Sequence, residues 1–377
     1  MFLTSYFNFK NKFIIKLHPK IIIEKDIIQH KLLAEWVNHE ATWLSYPHNR
    51  LDWPGKFSPI QWVFTEIIKF VSRDEIVRLV VKDLNQKRKA ENSLKKVGVN
   101  LDKIDFIVTP TDRGWMRDCG PCFVKKGAFK SIVNFKFNGW AKYNNYLKDD
   151  SIPNIAAKHL SLDIENAIFK NVNVILEGGA IDVNGIGSLL TSEECLLDKI
   201  TQVRNEGFTR NNYNELFKKY FNVSNVIWLN KGISGDDTHG HIDDVCRFVN
   251  EESIILVREK NPNDLNYPIL EENWEIIQDI KLENGLKPNV IELPMPSPLY
   301  FDNIRLPASY ANFYISNHAV LVPTFNDPND RLALNILSDI FPNKKVIGIH
   351  SLDLVWGLGT LHCLTHDEFS NYYKTKL

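Results

Sequence analysis

The sequence predicts an α/β fold assembled from repeated modules, and three observations carry that expectation. An order of strand, helix, strand and reactive loop recurs along the chain. The residues best suited to chemistry recur at steps of roughly 60 positions. A chain of 377 residues with 44% hydrophobic content is also longer than one compact core usually spans. A unit that returns its reactive loop to the same side at each repeat implies a ring of modules around a shared centre, and about five such units fill the length.

The first recognisable unit has Ile60, Val63, Phe64, Ile67, Ile68 and Val71 at helical spacing, followed by a β-rich run over 75–81. A polar helical stretch over 85–96 leads to a strand over 104–108 and then to a loop over 111–121. The order returns as strand 188–191, helix 213–221, strand 225–229 and loop 235–244. It returns again as strand 319–323, helix 330–341, strand 346–349 and loop 357–363. Asp118, Glu177 and His241 mark single steps of the repeat, whereas Cys363 follows His241 by a double step. No linker-like or low-complexity stretch divides the chain, so one domain is expected over 31–377, preceded by an extension over 1–30.

Charge and cysteine content narrow the function. The 45 basic and 46 acidic side chains nearly cancel, so no overall field draws the chain to nucleic acid or an anionic membrane, and a small ligand is the better expectation. Lys10, Lys12, Lys16 and Lys20 interrupt the apolar N-terminal runs before a signal-peptide core forms, and no stretch approaches the roughly 18 apolar residues of a membrane span. Five scattered cysteines do not make a disulfide framework, so a reduced, cytoplasmic protein is expected. Phosphate-binding and dinucleotide-binding glycine patterns are missing, and no cofactor is implied.

Four loops carry the reactive groups. Gly114-Trp-Met-Arg-Asp-Cys-Gly-Pro-Cys122 contains the dithiol spacing of thioredoxins, but Asp118 adjoins Cys119 and strand-like residues follow, so both thiols are read as small packed side chains. Asp236-Asp-Thr-His-Gly-His-Ile-Asp-Asp244 is the richest in ligand-type groups. A zinc hydrolase using His239, His241 and Asp243 is the alternative there. His239 is read as a solvated loop residue, and His241 with Asp243, two apart on an extended segment, as a pair facing one way. Leu176-Glu-Gly-Gly179 sets a carboxylate before glycines that admit a ligand to the backbone. Gly357-Leu-Gly-Thr-Leu-His-Cys363 repeats that logic with a thiol. Several carboxylates around one thiol call for a cationic electrophile.

These segments, with Glu35-Trp-Val-Asn-His-Glu-Ala-Thr-Trp-Leu-Ser-Tyr-Pro-His48, Phe137-Asn-Gly-Trp140, Leu190-Thr-Ser-Glu-Glu-Cys-Leu-Leu197 and Phe325-Asn-Asp-Pro328, resemble the agmatine deiminases in order over about 34–366. The resemblance implies a five-bladed, pseudo-symmetric α/β propeller of the pentein type and hydrolysis of a guanidinium group. It implies Cys363 as nucleophile, His241 as acid and base, Asp118 and Asp243 as the guanidinium clamp, and Glu177 as support for His241 or the substrate. Trp115, Gly178 and Gly359 are expected at the substrate. The reaction implied is agmatine to N-carbamoylputrescine and ammonia, a step toward putrescine in polyamine biosynthesis, with arginine or peptidyl arginine as the alternatives. The expected partner is a small cationic guanidino compound, and a homo-oligomer is compatible with the pattern. The chain departs from the family at Leu358, within what is usually a run of three glycines, at 364–367, and at 198–207. These changes bear on the substrate's tail.

Overall fold

In the computed structural model, residues 30–371 are described. Nearly all of the expected 1–30 extension therefore lies outside the described residues. Five sheets of three or four strands share one plan, in which a short strand runs antiparallel to a longer one and that strand runs parallel to the next. A helix makes each parallel connection, as such a crossover requires.

In the first sheet His39–Ser45 lies parallel to Ile76–Val81, which lies parallel to Ile104–Val108, with Phe57–Val71 and Leu84–Lys96 as the crossovers. The apolar stripe of Phe57–Val71 is buried at Ile60, Val63, Phe64, Ile67, Ile68 and Val71. Asp83 starts the second helix by accepting the Gln86 N–H on its side chain, and Lys95 and Lys96 sit in the last turn, where the helix dipole favours cations. The fourth strand, His366–Phe369, comes from the far end of the chain and pairs antiparallel with His39–Ser45, Phe369 opposite His39 and His366 opposite Trp43.

The other four sheets follow suit. Cys122–Lys126 and Phe129–Asn134 form a hairpin, and Ile152–Leu160 returns the chain to Ile164–Asn166. Asp182–Val183 pairs with Ser188–Ser192, and Arg210–Phe221 leads to Asn225–Leu229. Cys246–Phe248 pairs with Ser253–Arg258, and Asn266–Asp279 leads to Asn289–Pro294. Tyr314–Ile315 pairs with Ala319–Thr324, and Asn329–Ile340 leads to Lys345–His350. Central strands such as Ser253–Arg258 and Ala319–Thr324 are buried almost throughout, which is why they read as continuous apolar runs. Among the described residues no helix is long and apolar enough to cross a membrane.

The repeat positions the chemistry. Each short antiparallel strand is entered from a loop, and within a few residues before the five of them stand Asp118, Glu177, Asp243, Asn312 and Cys363. Asn312 fills the place that the double step between His241 and Cys363 left empty.

Candidate active site

Asp118 lies in the one-turn helix Met116–Cys119, and both of its carboxylate oxygens are held. Oδ2 accepts the Trp140 indole N–H at 2.9 Å and Oδ1 accepts the Gly179 N–H at 3.0 Å. A side chain at 179 is excluded, since a Cβ there would lie 2.5 Å from His241 Nδ1 and 2.9 Å from Asp118 Oδ1. Gly178, expected at the substrate, abuts the Arg117 carbonyl, so Gly179 is the glycine that borders the reactive groups. At Gly359, also expected at the substrate, a Cβ would lie 2.8 Å from the Trp115 ring and 3.2 Å from Cys363 Sγ.

His241 and Asp243 do come together, but not on an extended segment. His241 precedes a tight turn, Ile242–Asp244, which leaves His241 Nδ1 4.0 Å from Asp243 Oδ1 and 3.8 Å from Asp118 Oδ1. Neither ring nitrogen has a hydrogen-bond partner among the described residues. The His362 ring bridges Asp243 Oδ2, 2.7 Å from Nδ1, and Glu35, 2.8 Å from Nε2, so the Asp243 carboxylate is braced from behind. The Cys363 thiol, on the one-turn helix Leu361–Leu364, lies 3.8 Å from Asp243 Oδ2 and 3.0 Å from the side-chain amide nitrogen of Asn312. Glu177 is fully buried; Oε1 accepts from Arg204 Nε at 2.9 Å, while Oε2 is unpartnered among the described residues and sits beside His241 and Cys195.

The electrostatics follow from this crowding. Burial pushes the Cys363 thiol well above its ordinary pKa, and Asp243, Asp244 and Asp118 push in the same direction. For His241 burial opposes the charge, but Asp118, Cys195 and Asp243 outweigh it and hold the imidazolium well above the usual range. Burial raises Asp118 to about 6, helped by Asp243 and Glu177 and opposed by His241 and the Trp140 hydrogen bond. Asp243 is held low in spite of burial because His362 bonds to it. At rest the centre therefore holds a neutral thiol, an imidazolium and clustered carboxylates.

A pocket of about 480 Å³, including its open mouth, leads to Cys363 and Asp118 past Trp115 and Trp140. Its rim carries Asp52, Asp237 and Arg113. The Arg113 guanidinium is engaged by Asp52 at 2.7 Å and lies 3.7 Å above the Tyr143 ring. Asp52 is buried, keeps Oδ2 without a partner among the described residues, and is raised to about 7 by burial, with Arg113 opposing. Arg117 and Arg305 both point away from this pocket: Arg117 to Glu35 and Asp367, Arg305 to Asp264. A larger cavity of about 900 Å³ lies behind Asp118 and Glu177 among Phe123, Phe135 and Leu176, but Cys363 does not line it.

His239 does not join His241 and Asp243. Its Nε2 pairs with Asp198 at 2.8 Å, so the zinc trio proposed for that loop is not assembled. The buried groups that do converge, Glu177, Cys195 and His241, have ligand atoms within 4.8 Å of one another, with Arg204 already on Glu177. The Cys119 thiol donates to the Trp115 carbonyl at 3.1 Å, and burial, with Asp367 adding to it, pushes Cys122 up to about 12, the reverse of what a reactive dithiol needs. The sequence reading missed Asn312, Trp140, His362 and Glu35. Trp140, His362 and Glu35 lay inside quoted motifs, whereas the double step only implied a further unit between His241 and Cys363 and did not single out Asn312.

Residues 31–368 match the family described as Porphyromonas-type peptidyl-arginine deiminase. An agmatine deiminase from Ectopseudomonas mendocina (strain ymp) is 29% identical over 360 residues, 89% of this chain and 94% of that protein. The solved structure of the agmatine deiminase of Enterococcus faecalis superposes with a TM-score of 0.82 at 26% identity, covering 91% of this chain and 97% of that one. A cysteine-to-serine variant of the C. jejuni agmatine deiminase, solved with substrate bound, gives 0.79 at 30% identity over 90% and 96% of the two chains.

Proposed function

Because the chain belongs to the Porphyromonas-type peptidyl-arginine deiminase family, we propose that it hydrolyses agmatine to N-carbamoylputrescine and ammonia, with Cys363 as nucleophile. The observation that carries this reading is the meeting of Asp118, Asp243, His241 and Cys363, carboxylates beside a thiol that call for a cation, with Asp118 and Cys363 lining one pocket. We read the five repeated sheets as the blades of a pentein-type propeller, one catalytic domain over 31–377, with 1–30 as an extension.

The chemistry follows from the charges. A guanidinium is a planar fork of donors, and Asp118 and Asp243 accept it from two sides, presenting its carbon to sulfur. Its positive charge offsets the carboxylates that hold the thiol proton, so Cys363 ionises on binding and releases that proton to solvent. Thiolate attack gives a neutral tetrahedral adduct. His241, already an imidazolium, protonates one amino group, and ammonia leaves an S-alkylthiouronium. The neutral His241 then takes a proton from the attacking water, and collapse of the second adduct expels the thiolate and, as the remaining hydroxyl proton passes to solvent, yields the neutral ureido product. Glu177 and Arg204 hold the back of the histidine, Trp115 and Trp140 wall the cation, and Gly359 lets it approach the sulfur.

The rim favours agmatine over free arginine. Asp52 and Asp237 line the pocket that takes a tail carrying an ammonium in agmatine and a carboxylate as well in arginine, and the cations beside them are already engaged, Arg113 by Asp52 and Lys142 by Asp237. With purified protein, ammonia release is expected to show a higher kcat/KM for agmatine than for arginine or a peptidyl arginine, and the reverse order would overturn the substrate. Cys363→Ala is expected to keep its fold by circular dichroism and lose at least about 10³-fold in turnover. Near-normal ammonia release by that variant would rule out covalent catalysis.

A further inference from the structure

Cys195 has no part in the reaction described above, yet its sulfur, a ring nitrogen of His241 and a Glu177 carboxylate oxygen lie within 4.8 Å of one another. All three side chains are buried. They come from separate loops: Glu177 precedes the turn Gly178–Ala180, Cys195 sits in the turn Glu193–Leu197, and His241 precedes Ile242–Asp244. Each is fixed from behind. Ser192 Oγ accepts the Cys195 N–H at 3.1 Å, and Asp236 accepts the His241 N–H at 3.0 Å. Arg204 donates to Glu177 Oε1 at 2.9 Å and is itself tied to the carbonyls of Gln202 and Thr238. Glu177 Oε2 and both His241 nitrogens are left without a hydrogen-bond partner among the described residues. Buried polar atoms are nearly always paired, so three orphans in one place point to a ligand.

The donor set names its class. Thiolate, imidazole and carboxylate suit zinc, whereas magnesium and calcium take oxygen donors. Zinc binds sulfur at about 2.3 Å and nitrogen or oxygen at about 2.1 Å, which sets donors of a tetrahedron roughly 3.6 Å apart, so side-chain shifts of about 1 Å close the trio. Coordination sends the thiol proton and the imidazolium proton to solvent, and the dication replaces them with no change in the net charge of the buried cluster. The larger cavity, which Glu177 lines, gives an ion a way in. Cys363 is not among the converging donors, so the ion sits beside the nucleophile and not on it. Whichever nitrogen coordinates, the ring loses the lone pair with which it cycles between acid and base.

We propose that Glu177, Cys195 and His241 form an inhibitory site for a thiophilic divalent cation of the zinc class, which silences the protein by holding the imidazole. The silencing rests on His241 being the acid and base of the proposed reaction, whereas the binding of the ion is independent of that reading.

The test begins with Zn²⁺ titrated into the full chain carrying Cys363→Ala, in competition with a colorimetric chelator. One ion per chain is expected, and adding Cys195→Ser is expected to weaken binding at least about 100-fold. An affinity that is lost with Cys363 and indifferent to Cys195 would overturn the site. Should the double variant not fold, X-ray absorption of the zinc-loaded Cys363→Ala chain provides the second measurement. A shell of one sulfur at about 2.3 Å with nitrogen and oxygen is expected, and a shell without sulfur would equally overturn the site. In the ammonia assay, Zn²⁺ is expected to lower the kcat of the unmodified chain at least about tenfold with little change in KM, because the clamp carboxylates Asp118 and Asp243 are not donors, and a chelator is expected to restore it. Full turnover with the ion bound would overturn the silencing. A chain that binds zinc through Cys195 but deaminates none of the guanidino compounds tested, even after chelation, would sink the substrate assignment and leave the metal site standing.

Discussion

Trp140 donates its indole N–H to Asp118, a carboxylate that must be ionised to grip a guanidinium and whose pKa burial has raised to about 6. Activity measured as kcat/KM should therefore fall on an acid limb near pH 6, since that ratio reports the free enzyme. The hydrogen bond favours the anion, so Trp140→Phe should move the limb upward by about half to one unit. A limb that stays in place would mean that another group titrates there. The candidate carboxylates, His241 and Cys363 could be picked out in the sequence because they stand in loops dense in ionisable residues that together, and in order, resemble one family's motifs. Asn312 was not, because a lone amide in Ala311-Asn-Phe313 has no local signature, and its contact with Cys363 spans 51 positions. Gly178 and Gly179 were equally unreadable, since which of two glycines meets a ligand depends on the direction of a single turn.

The helices and central strands were legible for a different reason, periodicity over three or more turns or an unbroken apolar run. The units built on Ile164–Asn166 and Asn289–Pro294 were not recognised. Their outer strands are short or half-exposed and carry no such run. The first long strand, His39–Ser45, begins with a polar staple no pattern reveals. His39 Nδ1 lies 3.4 Å from Glu75, its Nε2–H donates to the Glu35 carbonyl at 2.7 Å, and Glu75 also receives the Thr42 hydroxyl. Burial opposes charge on His39, but Glu75 outweighs it and lifts the pKa to about 9. A raised histidine stabilises the fold fully below its unfolded value near 6.5 and loses that contribution as pH rises through 9, here on the order of 3 kcal/mol. The Tm of the wild type should fall between pH 6.5 and 9.5, and His39→Gln should start lower and decline less. Parallel declines in the two proteins would contradict the charge on His39.

Across the whole molecule, the strand His366–Phe369 closes the first sheet against His39–Ser45, so the two ends of the described chain share one set of hydrogen bonds. Cys363 lies at the edge of that seam, on the turn of helix that leads into it. A chain ending after Thr365 retains every candidate catalytic residue and is nevertheless expected to lose nearly all activity, because the Leu361–Leu364 turn would keep only its local bonds to Asp243, Glu35 and Asn312 and lose the strand that anchors it in the sheet. Ammonia release within about threefold of the full chain would contradict that dependence. The contact is also among the most distant in sequence that the fold contains, and such contacts form late because the loop-closure entropy precedes their reward. On the ribosome the consequence is a matter of timing. Cys363 is synthesised after Asp118, Glu177 and His241, and the strand that seats it later still. A nascent chain that already carries Asp118, Glu177 and His241 therefore holds no reactive centre, and an interrupted one never acquires it.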